Sequence, residues 1–394
     1  MTINRRDFAR ATAMTALSYS RVLGANDRIG LGLVGAGERG TYVMSLFQKE
    51  PGIEVRAVCD VYGVKTERAL GKVPGAKSFS VHTDVLALKE IDVVLVGTPD
   101  HWHKGVAIDA MNAGKDVYCE KPLVSRREDG PEIVRAARVN NRICQVGMQQ
   151  RSGTIYLEAK EKFVASGLLG KISHVQCVWH SGIPRKMSAE PAQKPENLDW
   201  VRFLGPVKYR DWFPAQYRNF RAFLDFGGGK MTDFGAHWID VVHMFTGVDA
   251  PLSVSAHGGI FYDFKDGRTA PDTISALYTY PGFSVHFESL SVTQGAPEYG
   301  ITFFGEKGWL FVNRNRYEFR PAGKDAPAVT RTIPGDITQE HVHNFLECCQ
   351  SRKTPNGDVY HGHRTAQACL LAVESYVETR TLRFDGQREE VLPL

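Results

Sequence analysis

Residues 28–40 read Arg-Ile-Gly-Leu-Gly-Leu-Val-Gly-Ala-Gly-Glu-Arg-Gly, an apolar run that leads directly into three closely spaced glycines. The spacing Gly35-x-Gly37-x-x-Gly40, after a predicted strand and at the start of a predicted helix, is typical of a dinucleotide-binding fingerprint. Gly35 is expected to make the tight turn, Gly37 to let the backbone approach a pyrophosphate, and Gly40 to let the helix pack closely on the sheet. Unpaired N–H groups at the helix N-terminus favour the pyrophosphate there. The stretch therefore predicts a nucleotide-binding domain.

The second predicted strand supplies the acidic residue that accompanies such a fingerprint. It ends in Cys59-Asp60, twenty residues beyond Gly40, where a carboxylate would meet the hydroxyls of the adenine ribose. An acid at this point repels a 2′-phosphate and favours NAD over NADP, although the nearby Arg39 leaves room for NADP. Glu38 and Arg39, inside the fingerprint, are further candidate contacts to the cofactor. The alternative is a glycine turn in an α/β fold that binds no nucleotide.

Short apolar runs alternate with helical patterns from residue 28 onward, which is typical of βαβ units on a parallel sheet. We expect an α/β protein in which residues 28–150 form a Rossmann domain with a doubly wound parallel sheet. Later strands are separated by Pro281-Gly282 and Gly305-Glu-Lys-Gly308, which indicate hairpin turns. Residues 151–394 are therefore expected to form an α+β domain with a large, mostly antiparallel sheet and a helical tail over 338–380. A chain of 394 residues is long enough for two domains.

Composition argues against several classes of function. The formal charge of +4, from 48 basic and 44 acidic residues, is spread along the chain, so nucleic acid is not an expected partner. No stretch approaches 18 uninterrupted apolar residues, and no membrane span is expected. The seven cysteines follow no Cys-x-x-Cys or Cys/His pattern, so neither a zinc site nor a disulfide framework is predicted. His101 and His103 offer two imidazoles without a third ligand in view, and no metal is expected.

The first 25 residues have the layout of an export signal. Arg5 and Arg6 are followed by Phe8 and then by small and apolar residues, which resembles the twin-arginine motif of proteins that are exported already folded. Ala9 departs from the motif, which commonly has leucine at this position. We expect residues 1–25 to be removed and the mature protein to be periplasmic or secreted. The alternative is an unstructured basic N-terminus on a cytoplasmic protein.

Further motifs, in order along the chain, carry a resemblance to a known family. They are Thr98-Pro99-Asp-His-Trp102-His103, Glu120-Lys121-Pro122, Gly228-Gly-Lys-Met-Thr-Asp233-Phe-Gly-Ala-His237 and the Gly305-Glu-Lys-Gly308 turn. Together with the glycine fingerprint they make the chain resemble the Gfo/Idh/MocA oxidoreductases over most of its mature length. The resemblance implies hydride transfer between NAD(P) and a carbohydrate or polyol. It also implies cofactor contacts from Thr98, Pro99, Trp102, His103, Glu120 and Lys121.

Oxidation of a secondary alcohol by a nicotinamide requires a base for the hydroxyl proton and a cation for the developing alkoxide. Lys121 follows an apolar strand, so we expect it at the carboxyl edge of the parallel sheet, where ligands bind. Asp233 and His237 are four residues apart and would share one face of a helix. The resemblance assigns catalysis to these three residues. The alternatives are a solvated lysine and a polar pair that caps a helix.

Aromatic and basic residues of the second domain are candidates for binding a sugar. Trp179 and His180 end an alternating strand, and Tyr217-Arg218 precede the Asp233 segment. Aromatic rings stack on sugar rings, but aromatic residues fill cores more often than they line sites. We expect substrate contacts from Trp179, His180, Tyr217 and Arg218, with packing as the alternative.

An exported dehydrogenase would find no free nicotinamide cofactor, so we expect the cofactor to stay bound and to be recycled within each turnover. The main expectation is an NAD(P)-dependent oxidoreductase that acts on a secondary hydroxyl of a sugar, glycoside or polyol. The resemblance leaves open an NAD-dependent glycosidase, which oxidises C3 transiently and breaks the glycosidic bond by elimination. A sensor that binds NAD without catalysis is a further alternative. We also expect a homo-oligomer formed through the C-terminal sheet.

Overall fold

The structure, a computed structural model, describes residues 28–292, 298–323 and 326–393. The expected export signal, residues 1–25, lies outside these ranges. Within them, no helix combines the length and the apolar character that crossing a membrane requires.

The N-terminal domain is built on a six-stranded parallel sheet. Its strands are β1 (Ile29–Val34), β2 (Ile53–Cys59), β3 (Lys77–Phe79), β4 (Val93–Val96), β5 (Asp116–Cys119) and β6 (Cys144–Val146). Its helices are α1 (Glu38–Phe47), α2 (Gly63–Leu70), α3 (His82–Leu86), α4 (His103–Asn112) and α5 (Gly130–Val139). The strand order is β3-β2-β1-β4-β5-β6, so the winding direction reverses between β1 and β4. The expected Rossmann fold is confirmed, and the reversal point is where such sheets bind ligands.

Burial explains why the strands of this domain could be predicted from the sequence. Every residue of β1, β4, β5 and β6 is buried, because helices cover both faces of the sheet. Such strands appear in the sequence as continuous apolar runs rather than as alternating ones.

The C-terminal domain is built on a ten-stranded sheet. Its strands are β7 (Ile172–Val178), β8 (Ser253–Gly259), β9 (Thr273–Tyr280), β10 (Phe283–Ser289), β11 (Gly300–Gly305), β12 (Gly308–Val312), β13 (Arg316–Pro321), β14 (Val329–Thr332), β15 (Leu382–Asp385) and β16 (Glu390–Leu392). They lie in the order β14-β13-β12-β11-β7-β10-β9-β8-β15-β16. The pair β7 and β10 is parallel and the other described pairs are antiparallel, which confirms the expected mixed sheet.

The α-helices of the C-terminal domain are α6 (Thr154–Ala159), α7 (Trp200–Leu204), α8 (Pro214–Arg218), α9 (Ala236–Thr246), α10 (Ile337–Ser351) and α11 (Val359–Glu378). Of these, α6, α9 and α11 contribute to the hydrophobic core on one face of the larger sheet, whereas α7 and α8 belong to a separate cluster and α10 packs on the N-terminal domain. A π-helical turn, Met231–Gly235, leads directly into α9. Trp238 of α9 is fully buried in one hydrophobic cluster with Tyr278 and Phe287 of the sheet.

The two helices near the C-terminus fix the position of one domain against the other. Phe345 of α10 packs on Phe47 and Tyr118 of the N-terminal domain, with ring centroids 6.0 and 5.7 Å away. Leu370 of α11 belongs to the core of the N-terminal domain, whereas its neighbour Leu371 belongs to the core of the C-terminal domain. A single buried helix therefore contributes to both cores, and the cleft between the domains has a defined geometry.

Candidate active site

The glycine turn after β1 has the shape of a pyrophosphate cradle. Gly35 has φ +93°, and a Cβ there would lie 2.5 Å from the backbone of Gly97 and Thr98. A Cβ on Gly40 would collide with the Gly35 carbonyl, so only glycine lets α1 approach the sheet this closely. At the N-cap of α1, Gly37 has open space beside it. The backbone is thus bare where an anion would meet the helix N-terminus.

Asp60, which follows β2, is anchored at the expected ribose position. Its Oδ2 accepts a hydrogen bond from the N–H of Ala36 at 2.8 Å, and its Oδ1 accepts one from the N–H of Tyr62 at 2.9 Å. Burial raises the pKa of Asp60, and the charge of Lys65 and these two N–H groups reduce that shift. The carboxylate thereby stays fixed beside the glycine turn.

A cleft of about 760 Å³ runs along the turn and reaches both Asp60 and Lys121. It collects most of the residues expected to contact the cofactor, namely Gly35, Gly37, Glu38, Arg39, Asp60, Thr98, Pro99, His103, Glu120 and Lys121. Glu38 is exposed in the first turn of α1, whereas Arg39 donates from Nε to Glu120 Oε1 at 2.8 Å. Arg39 therefore supports Glu120 at the Lys121 end of the cleft. These residues fit an extended dinucleotide.

Trp102 lines an adjoining apolar pocket together with Phe203 and Tyr217 of the C-terminal domain. Its indole Nε1 donates to the carbonyl oxygen of Phe203 at 3.0 Å. Asp60 is shared by this pocket and the larger cleft. An apolar pocket beside Asp60, where the ribose is expected, is suited to an adenine ring.

His103 connects the loops after β4 and β5. Its Nδ1 lies 2.6 Å from the carbonyl oxygen of Pro122, and its Nε2 lies 2.9 Å from the carbonyl oxygen of Thr98. The ring is buried and thus holds the Glu120-Lys121-Pro122 loop against the neighbouring loop. His103 contributes to the position of Lys121 without facing the substrate side itself.

Lys121 of the N-terminal domain meets Asp233 of the C-terminal domain. The Lys121 ammonium donates to Asp233 Oδ1 at 2.7 Å and to the Asp233 carbonyl oxygen at 2.8 Å. Arg221 Nε lies 3.3 Å from the same carboxylate oxygen. Burial favours a raised pKa for Asp233, but the charges of Lys121 and Arg221 outweigh it and lower the pKa. Asp233 is therefore an ionised carboxylate that orients the Lys121 ammonium, and it does not cap a helix.

His237 lies in the first turn of α9, four residues beyond Asp233, and is buried. Its Nδ1–H donates to Gln150 Oε1 at 3.1 Å, which leaves the lone pair on Nε2. The pKa of His237 is lowered well below its ordinary value, mainly by burial and then by the charges of Lys121, Arg314 and other cations. A neutral imidazole whose Nε2 carries the lone pair is the form that accepts a proton from a hydroxyl group, and here Arg314 Nη2 lies 3.4 Å from that Nε2.

The expected substrate contacts lie in different places. Trp179 stacks on Phe234, with ring centroids 5.2 Å apart, and on His237 at 5.4 Å. His180 is nearly buried, and its Nδ1 accepts from the Leu290 N–H at 3.2 Å. By contrast, Tyr217 lines the apolar pocket beside Asp60, whereas the exposed Arg218 lines the larger cleft. The structure brings Trp179 to His237 and places Tyr217 with the residues of the cofactor cleft.

Two residues that contact the His237 ring were not predicted from the sequence. Gln150 fixes the imidazole tautomer, and Arg314 places a guanidinium nitrogen 3.4 Å from His237 Nε2. Arg314 also stacks over Trp179, 4.9 Å from the ring centroid. Gln150 follows β6 and Arg314 follows β12, so neither lies near His237 in sequence. No spacing rule connects the three, and only the packed fold does.

Comparisons with known proteins agree with this geometry. A model described as oxidoreductase family, NAD-binding Rossmann fold, matches residues 29–148, and one described as GFO/IDH/MocA C-terminal domain matches residues 202–311. Inositol 2-dehydrogenase of Salmonella typhimurium is 31% identical over 260 residues, which cover 65% of this chain and 74% of that protein. Alpha-N-acetylgalactosaminidase of Shewanella oneidensis is 28% identical over 158 residues, or 38% of this chain and 34% of that protein.

A solved structure supports the fold over nearly the whole chain. The WlbA dehydrogenase of Bordetella pertussis, in complex with NADH and UDP-GlcNAcA, aligns with a TM-score of 0.71 at 22% identity. The alignment covers 93% of this chain and 99% of the WlbA chain. At this identity the likeness establishes the shared architecture of both domains.

Proposed function

This chain belongs to the Gfo/Idh/MocA oxidoreductases, and from that premise we propose that it oxidises a secondary hydroxyl of a sugar, glycoside or polyol with a tightly bound NAD. It is an NAD-dependent oxidoreductase acting on CH–OH groups. The observation that carries the proposal is a direct contact between a side chain of each domain in the cleft. Lys121 from the parallel sheet contacts Asp233, and the neutral His237 follows four residues later.

The residues divide the chemistry of alcohol oxidation between them. NAD, when bound in the cleft, supplies the hydride acceptor. His237 Nε2 takes the hydroxyl proton, because Gln150 holds the proton of the neutral ring on Nδ1. The Lys121 ammonium stabilises the negative charge that develops on the substrate oxygen. Asp233 keeps that ammonium in place through its 2.7 Å hydrogen bond.

The test begins with the full chain purified without added cofactor. Mass spectrometry of the released nucleotide is expected to identify NAD, and absorbance in the reduced-nicotinamide band is expected to rise with sugars or polyols. A panel of free sugars, inositols and aryl glycosides defines the substrate class. Absence of any bound nucleotide together with absence of reduction by every member of the panel would contradict the proposal.

A second candidate function is redox-neutral glycoside hydrolysis. It is favoured by the similarity of this chain to an alpha-N-acetylgalactosaminidase over 158 residues. In that reaction, transient oxidation at C3 acidifies the proton at C2, elimination releases the aglycone and leaves a C1–C2 double bond, water adds across that bond, and hydride return to C3 restores the sugar. Release of nitrophenol from aryl glycosides without lasting reduction of the cofactor would favour hydrolysis. Lasting reduction without release of nitrophenol would favour dehydrogenation.

We also propose that the enzyme acts outside the cytoplasm, because Arg5, Arg6 and Phe8 resemble an export motif for folded proteins. An enzyme exported with its cofactor must reoxidise that cofactor while it stays bound, within each turnover. Fractionation of cells that express the full chain and a paired Arg5→Lys and Arg6→Lys variant tests this. The wild-type chain is expected in the periplasm or medium, and the variant is expected to remain inside. Equal distribution of the two would contradict export by this route.

A further inference from the structure

A second cavity, of about 360 Å³, lies beside the catalytic residue Asp233. It shares Arg221 with the dinucleotide cleft, but Lys230 and Arg268 line this cavity and not the cleft. Phe234 supplies an apolar surface next to these cations. An apolar surface with a positively charged wall is suited to a sugar that bears an anionic group.

Lys230 is placed to meet a substrate that also reaches the catalytic groups. Lys230 and Asp233 both line this cavity, and His237 follows Asp233 by four residues along the same helical segment. An anionic group that meets Lys230 would therefore lie on a sugar unit or substituent next to the ring that reaches His237.

The Lys230 ammonium has no direct counter-charge. It donates to Ser291 Oγ at 2.9 Å, and no carboxylate makes an ion pair with it in the part of the chain that the structure describes. Burial lowers the pKa of Lys230 to about 8, against the opposing effect of the Asp272 carboxylate. The sequence after Val292, Thr293-Gln-Gly-Ala-Pro297, contains no acidic residue. Removing an ammonium from water costs free energy unless an anion compensates for it.

Two other cations of the cavity already have carboxylate partners, and Asp272 adds a carboxylate to the lining. Arg268 pairs with Asp266 at 2.6 Å, and Arg221 is shared between Asp233 at 3.3 Å and Asp100 at 3.8 Å. Arg218, at the mouth, is exposed. Lys230 is thus the half-buried cation of this cavity that makes no ion pair with a carboxylate in the described residues, and it points to an anionic ligand.

We propose that this cavity is a second substrate subsite, which binds a carboxylate, sulfate or phosphate group on a sugar unit or substituent next to the ring that is oxidised. The inference rests on the proposed function, because it takes Lys121 and His237 as the place of oxidation. The enzyme then selects acidic glycosides over neutral ones. Lys230 determines this specificity without contacting the reacting carbon.

Two measurements on the NAD-containing full chain test the subsite. In the first, inorganic sulfate is titrated calorimetrically into the wild-type chain, Lys230→Met and the control Lys265→Met, whose lysine is 87% exposed. Sulfate is expected to bind the wild-type chain and the control equally and Lys230→Met at least about tenfold more weakly, the loss expected for one charge-assisted contact. Equal sulfate binding by all three chains, or by none, would overturn the proposal.

In the second, cofactor reduction is followed with a pair of disaccharides in which one CH2OH group is replaced by a carboxylate and both rings are kept, such as cellobiose and cellobiouronic acid. The acidic member is expected to have the higher kcat/KM, and Lys230→Met is expected to remove that preference. Preference for the neutral member, or a preference that survives Lys230→Met, would overturn the subsite and leave the proposed oxidation standing. Sulfate binding that depends on Lys230, without reduction by any sugar, would instead contradict the proposed function and keep the anion site.

Discussion

Lys121 is held from two directions, which explains how one ammonium group can be placed accurately between two domains. Its backbone belongs to the loop that His103 binds through the Pro122 carbonyl oxygen, and its side chain is fixed by Asp233. Neither contact alone would define both the position and the direction of the ammonium. Preorganised charge of this kind stabilises a developing oxyanion without rearrangement during the reaction.

Replacement of Lys121 by methionine tests that role. Loss of the ammonium is expected to lower kcat by about 10²- to 10³-fold, the usual effect of removing one group that stabilises an oxyanion. NAD content is expected to persist, because the glycine turn and Asp60 remain. Lys104→Met is the matched control, since Lys104 pairs with Asp129 and Glu132 away from Lys121. Full activity of Lys121→Met would favour a protein that binds NAD without using this lysine.

Arg314 is expected to control the protonation of His237. Its charge contributes to the lowered pKa of His237, so Arg314→Gln is expected to raise that pKa. Because the neutral imidazole is the active form, the acidic limb of the profile of kcat/KM against pH moves to higher pH. Arg316→Gln is the control, because Arg316 lies two residues away and pairs with Glu298 and Glu318. An unchanged acidic limb in Arg314→Gln would show that His237 does not titrate in that limb.

At the scale of elements, one segment of the C-terminal domain closes over the cofactor cleft. This cover segment, residues 197–218, contains α7 and α8. Its Asn197 carbonyl accepts from the Gly63 N–H at 3.1 Å, and its Asp199 N–H donates to the Val61 carbonyl at 2.9 Å. Phe203 accepts hydrogen bonds from His101 and Trp102 of the other domain. We therefore expect the opening of these contacts to speed the release of a dinucleotide bound under this segment.

Tyr217 provides a test of the cover segment. Its ring lies 5.9 Å from Tyr62 and under the Lys65 ammonium, beside the apolar pocket. Tyr217→Ala is expected to speed NAD release about tenfold, which corresponds to a loss of about 1.4 kcal/mol of binding. Tyr209→Ala, a 65% exposed residue of the same segment, is expected to release NAD at the wild-type rate. Fluorescence of bound NADH after dilution measures both rates, and equal rates would exclude a retaining role for Tyr217.

Elements that obey a local rule were predictable, and those set by tertiary contacts were not. The strands β1 and β4 are continuous apolar runs, and the glycine turn has fixed spacing, so the nucleotide-binding domain follows from the sequence. The strand β3 is three residues long and partly exposed, which leaves no periodic signal. Asp233 was expected on an α-helix, but it lies in a π-helical turn that directs it to Lys121. That contact spans 112 residues of sequence and depends on the packing of both domains.

At the scale of the whole molecule, the ten-stranded sheet has one covered face and one open face. On the open face, Leu277 of β9 is 52% exposed and Phe304 of β11 is 36% exposed. Trp309 and Phe311 of β12 are partly exposed beside the Phe304 strand. Arg316 and Arg320 cover these two rings through cation–π contacts. Apolar groups gathered on one side of a broad sheet are typical of a surface that buries itself against another chain.

We propose that this open face joins two copies of the chain, and Leu277→Glu tests the proposal. A symmetric contact presents each substituted side chain to the partner copy, so one substitution introduces two buried charges at the interface. Sedimentation equilibrium is expected to show an oligomer for the wild-type chain and association at least about tenfold weaker for Leu277→Glu. Val139→Glu introduces the same charge at a 77% exposed apolar residue of α5, away from the sheet, and is expected to associate normally. Because Leu277 is exposed in the single chain, Leu277→Glu is expected to melt near the wild-type temperature at low protein concentration. A monomeric wild-type chain, or equal association of all three proteins, would show that the face does not form an interface between copies.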